Sequence, residues 1–98
     1  MRIEFMANFK RLRVIFSGRV QGVGMRATVK MVARRYQVTG FVRNLPDGTV
    51  EVQVQGDVEV LDELLKSVHT SMPGYIRHVE RNWMGEIEAE KDFRIEYF

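Results

Sequence analysis

The residues best suited to chemistry in this 98-residue chain lie in "SGRVQGVGMR", positions 17–26. Gly18, Gly22 and Gly24 carry no Cβ, so several backbone N–H groups can turn inward together and form a concave anion site. Arg26 adds a planar guanidinium that can fork onto two phosphate oxygens. If a helix begins here, its unpaired first-turn N–H groups and the positive end of its dipole reinforce the site. A cation at that end opposes the dipole, an arrangement that makes most sense if an anion occupies the loop. The competing reading is a plain strand-to-helix connection with Arg26 in solvent, because glycine turns are common. The spacing is not that of a Walker A motif, since no Gly-Lys-Ser/Thr follows, and it matches G-x-G-x-x-G only loosely.

The flanking elements must hold that loop. Residues 11–17 alternate, with Leu12, Val14 and Phe16 on one face, which predicts a strand. Met25, Val29, Val32, Ala33 and Tyr36 then fall at helical spacing and predict a helix that ends before Val38. A second strand follows, with Val38, Gly40, Val42 and Asn44 on one face and Thr39, Phe41 and Arg43 on the other. "LPDG" (45–48) is a hairpin turn, with proline presetting φ. The third strand turns Val50, Val52 and Val54 inward and Glu51, Gln53 and Gln55 outward. Asp57 is a candidate N-cap for a second helix with the stripe Leu61, Leu64, Leu65 and Val68, which "SMPG" (71–74) stops. Residues 76–84 and 93–98 predict two weaker strands.

This order, β-α-β-β-α-β plus a short extra strand, is that of an α+β, ferredoxin-like split βαβ sandwich: an antiparallel sheet with two helices on one face. Residues 9–98 form the domain, and residues 1–8 are expected to be an extension. The helical crossover makes the first two strands parallel, so their C-terminal ends share a rim. Asn44, last in the second strand, therefore lies beside the glycine loop, where its amide can hold a water next to an anion. Equally, an asparagine here can cap the turn that follows it.

These two segments, "GRVQGVGMR" (18–26) and "GFVRNLPDGTVEVQVQG" (40–56), resemble the signature segments of the acylphosphatase family at that family's spacing. The likeness extends through most of residues 10–98. It implies hydrolysis of acyl phosphates to a carboxylate and inorganic phosphate, without metal or cofactor. By motif position, Arg26 corresponds to the phosphate-binding arginine and Asn44 to the asparagine that orients the attacking water. The backbone of Val20, Gln21, Gly22, Val23, Gly24 and Met25 corresponds to the phosphate cradle. The chain departs from the pattern at Met25, where an aromatic is usual, and at Gln37, where a glycine is common near the helix end.

Composition narrows the remaining classes. The absence of cysteine excludes thiol chemistry and thiolate metal sites, and His69 and His78 are isolated. Glu86, Glu88, Glu90 and Asp92 lack the order of a calcium loop and are expected to form a solvated face. Trp83 and the late aromatics are expected in the core. No apolar run reaches membrane-spanning length, and charge interrupts the first residues too early for a signal peptide. The expectation is a cytoplasmic monomer acting on a small-molecule acyl phosphate, with neither nucleic acid nor membrane as partner. Net charge is +2, but residues 1–49 hold ten Lys/Arg against two acids, and residues 50–98 five against eleven. That basic half supports an alternative, a ferredoxin-like module that binds RNA or senses an acyl phosphate without turnover. Against RNA, the outward residues of the third strand are not base-stacking aromatics.

Overall fold

A computed structural model describes residues 8–98, so the sequence-based reading of an N-terminal extension falls, except for Asn8, outside the described residues. The elements are β1 (Phe9–Gly18), α1 (Met25–Ala33), β2 (Thr39–Asn44), β3 (Val50–Asp57), α2 (Val58–Ser71), β4 (Ile76–Met84) and β5 (Phe93–Ile95). The sheet runs β4-β1-β3-β2-β5. β3 is antiparallel to both β1 and β2, which makes those two parallel, as the helical crossover requires. β5 runs parallel to β2, with Ile95 beside Val42, so the sheet is mixed at this edge rather than wholly antiparallel.

Alternation decides which face meets the helices. Leu12, Val14, Phe16, Val42, Val50, Val52 and Val54 bury against Val29, Val32 and Ala33 of α1 and Leu61, Leu64 and Val68 of α2. That shared apolar layer is the principal source of cohesion. Asp57 caps α2 as expected, its carboxylate accepting from Glu59 N–H at 2.9 Å. The first helix ends earlier than its stripe suggests. Arg35 N–H and Tyr36 N–H bond three residues back, to Val32 O and Ala33 O, which tightens the exit without a left-handed residue at Gln37. Tyr36 still points inward, with its hydroxyl 3.1 Å from Ser67 Oγ on α2.

The other sheet face departs from expectation. Glu51 and Gln55 point away from the helices but are buried, as is Arg11. Residues 85–92 cross this face as a strap. The Gln55 amide both donates to Ile87 O (2.8 Å) and accepts from Ile87 N–H (3.0 Å). Glu90, expected in a solvated face, instead pairs with Arg11 at 2.8 Å. Trp83, expected in the core, is 52% exposed, because β4 is an edge strand with a neighbour on one side only. Tyr97 and Phe98 are exposed as well.

Candidate active site

β1 delivers the chain to the glycine loop, and two ties hold the loop in place. Arg19 N–H donates to Tyr75 O at 2.9 Å. The Gln21 side-chain amide donates to Leu45 O and to Thr49 O, both at 2.8 Å, and so fastens the loop to the two stems of the β2–β3 hairpin. Beneath the loop, Val20 and Met25 are almost wholly buried. Met25 thus fills the place where the resemblance puts an aromatic, by packing into the core.

Gly22 and Gly24 take left-handed φ values of 75° and 80°, a conformation that costs other residues about 1 kcal/mol or more. Gly24 is the N-cap of α1 and offers no side-chain cap. After Arg19, the next N–H that donates to a backbone carbonyl among the described residues is that of Thr28, to Gly24 O at 3.0 Å. The intervening N–H groups of the loop and first turn are therefore left to solvent or a ligand. A helix N-terminus with unpaired donors favours an anion.

Asn44 arrives from the other side. Register places Phe16, Val50 and Asn44 on one rung across β1, β3 and β2, on the helix-facing side and one step from the loop. The turn after it is capped by Asp47 instead. That carboxylate accepts from Thr49 N–H at 3.0 Å and from Thr49 Oγ1 at 2.6 Å, and these bonds hold the Asp47 carboxyl below its ordinary range.

Arg26, Asn44, Gly22 and Gly24 line one pocket of about 160 Å³, with Val20, Met25, Ala27, Ile95 and Tyr97. Gln21 and Val23, named with the cradle from sequence, contribute differently. Gln21 anchors the loop through its side chain, and Val23 packs against the core. The sequence reading missed Tyr97, whose ring centre lies 5.0 Å from Arg26 Cζ. The strand predicted over 93–98 carries it, but the parallel pairing with β2 that brings Tyr97 into the pocket with Asn44 is not a local pattern. Among the described residues, no carboxylate lies within ion-pair distance of Arg26, and no cluster of His, Asp or Glu could hold a metal. Nor is any helix among them long and apolar enough to cross a membrane.

Comparisons with known proteins bear on the family and the fold. Residues 12–95 match the family model described as acylphosphatase. The chain is 40% identical over 86 residues to an acylphosphatase of Bacillus licheniformis, covering 87% of this chain and 96% of that one. It is 44% identical over 68 residues to one from Methanospirillum hungatei, covering 69% and 75%. Its fold superposes on the crystal structure of an acylphosphatase from Bacillus subtilis with a TM-score of 0.81 at 32% identity, covering 89% of this chain and 98% of the other.

Proposed function

The chain belongs to the acylphosphatase family, and from that premise we propose how its pocket hydrolyses an acyl phosphate. The loop N–H groups and the Arg26 guanidinium hold the three peripheral phosphoryl oxygens. The Asn44 amide positions a water opposite the acyl oxygen. The water oxygen bonds to phosphorus as the phosphorus–acyl oxygen bond breaks, and the carboxylate leaves with the electron pair. The water's proton passes to a phosphate oxygen, giving inorganic phosphate.

The chemistry asks little else of the protein. A carboxylate is a stable leaving group at neutral pH and needs no general acid. A loose phosphoryl-transfer transition state is accelerated mainly by positioning and by fixed donors aimed at its oxygens. The observation that carries this reading is the convergence on one small pocket of Arg26, Asn44 and a stretch of backbone N–H groups that meet no backbone carbonyl among the described residues. The buried polar layer over the opposite sheet face weighs against the RNA alternative, because Phe41 there is 8% exposed and unavailable to stack on a base. We read the enzyme as cytoplasmic and monomeric, acting on small-molecule acyl phosphates.

Hydrolysis of acetyl phosphate in excess chelator tests the proposal. Wild-type turnover should survive chelation, and Arg26→Gln and Asn44→Ala should lose it while keeping their circular dichroism and melting transition. A chain inactive on acetyl and benzoyl phosphate alike would remove the catalytic reading.

A further inference from the structure

The pocket has one aromatic wall that the hydrolytic step does not use. Tyr97 is 78% exposed at its mouth, with Arg26 against one face of the ring. Its backbone is nonetheless fixed on both sides. Ile95 pairs with Val42, and Glu96 N–H donates to Val42 O at 2.9 Å. Phe98 packs 6.2 Å from the Phe41 ring, with Arg43 Cζ 4.4 Å over its own ring. A large ring is thus held by its neighbours at the edge of the site while one side remains open.

The pocket also divides by chemistry. Gly22, Gly24, Arg26 and Asn44 supply its polar part, and Ile95 and Tyr97 supply apolar surface toward solvent. At about 160 Å³ it falls below the roughly 300–1,000 Å³ of sites that enclose a whole ligand. Under the hydrolytic mechanism proposed above, a pocket of this size takes the phosphoryl end and leaves the acyl group at the mouth.

We propose that Tyr97 determines acyl-group specificity: its open ring face receives the acyl substituent and favours flat, aromatic acyl phosphates over small aliphatic ones. The inference rests on the hydrolytic reading above and names the substrate class of the same site. Rings prefer offset or edge contacts with other rings, and one such contact is worth a few-fold in affinity.

The experiment compares benzoyl phosphate with acetyl phosphate in wild type, Tyr97→Phe and Tyr97→Ala. The ratio of their kcat/KM values should persist within about twofold in Tyr97→Phe and fall about fivefold in Tyr97→Ala, through the KM for benzoyl phosphate. Inhibition by inorganic phosphate, which has no acyl group, should stay within about twofold of wild type. Equal losses on both substrates with weaker phosphate inhibition would mean that the ring acts through Arg26 alone, and would overturn the proposal, as would an unchanged ratio. Calorimetry with the non-hydrolysable 2-oxo-2-phenylethylphosphonate and 2-oxopropylphosphonate reads the same preference without turnover. A chain that binds both and hydrolyses neither substrate contradicts the catalytic reading, while the ratio of the two affinities still decides the role of Tyr97.

Discussion

Two regions of the molecule are rich in arginine and treat it in opposite ways. On the strap-covered sheet face every arginine has a carboxylate. Arg13 and Arg43 both donate to Glu51 at 2.6 Å, Arg11 meets Glu90 at 2.8 Å, and Arg94 meets Glu90 and Glu96. At the pocket Arg26 has no such partner among the described residues, only the Tyr97 ring, and it sits at the end of α1 that repels it. The first group completes its electrostatics within the fold. In the second, the proposed mechanism gives the open charge to the phosphoryl group.

The sharpest break of that contrast is catalytic. Arg26→Gln and Asn44→Ala should each lower kcat/KM for acetyl phosphate by about a hundredfold to a thousandfold, the scale for removing one preorganised hydrogen-bonding group, here to the phosphoryl oxygens or to the attacking water. Arg13→Gln, on the paired face, should stay within about threefold. A comparable loss there, in a folded variant, would erase the distinction between the two regions.

Next in size is the stability of the paired face. The Arg11 side chain is 0% exposed and that of Glu90 6% exposed. Replacing Arg11 by Leu takes away the closer cation of the Glu90 carboxylate, leaves it only the partly exposed Arg94 at 3.3 Å, and should cost about 3 kcal/mol in urea unfolding, the low end for breaking a buried pair. The same face predicts a pH response. Burial alone would raise the Glu90 carboxyl, but hydrogen bonds and charge from Arg11, joined by Arg94, outweigh it and hold the group below its ordinary value of 4.5. Glu51 is lowered likewise, with burial overcome by Gln53, Arg13 and Arg43. Groups lowered in the folded state contribute stability above their unfolded value and lose it as pH falls through the folded one. From these groups, thermal stability should be flat from pH 8 to 5 and fall below about 4.5, and Glu90→Gln should shrink that acid loss. A Glu90→Gln chain with an undiminished acid slope would assign it elsewhere.

The contrast also explains what could be read from sequence. The glycine loop, Asn44, the "LPDG" turn and the Asp57 cap are local patterns, and the valines of β3 alternate against helices whose stripes are local too. Parallel β1 and β2 followed from a helical crossover, which placed Asn44 at the correct rim. The paired face depends instead on partners far apart, Arg11 with Glu90 and Gln55 with Ile87. Alternation states that Glu51 and Gln55 leave the helix-facing side. It cannot state that a later segment covers them. Tyr97 escaped notice for the same reason, through the pairing of β5 with β2.

Gln21 links the two kinds of evidence, a local letter with a distant task. Its amide spans to Leu45 O and Thr49 O, so Gln21→Leu leaves both carbonyls without that donor and frees the cradle from the strand that carries Asn44. Catalysis is sensitive to small misplacement of reacting groups. The expected loss is about tenfold in kcat with a smaller change in KM, while inorganic phosphate still binds. An unchanged kcat would show that the loop keeps its place without this tie.

The smallest effect tests whether pairing or burial gives the strap-covered face its weight. Arg81 on β4 meets Asp62 on α2 at 3.0 Å, close to the Arg11–Glu90 separation. Here, however, the side chains are 44% and 50% exposed. In solvent the attraction is screened, and ordering two side chains offsets much of it, so such pairs contribute about 0–1 kcal/mol. Asp62→Asn should therefore shift the urea-derived stability by less than about 0.5 kcal/mol, and 1 M salt should abolish the difference. A loss near that of Arg11→Leu would make distance alone decisive, and the protection of Arg11 beneath the strap would no longer explain its importance.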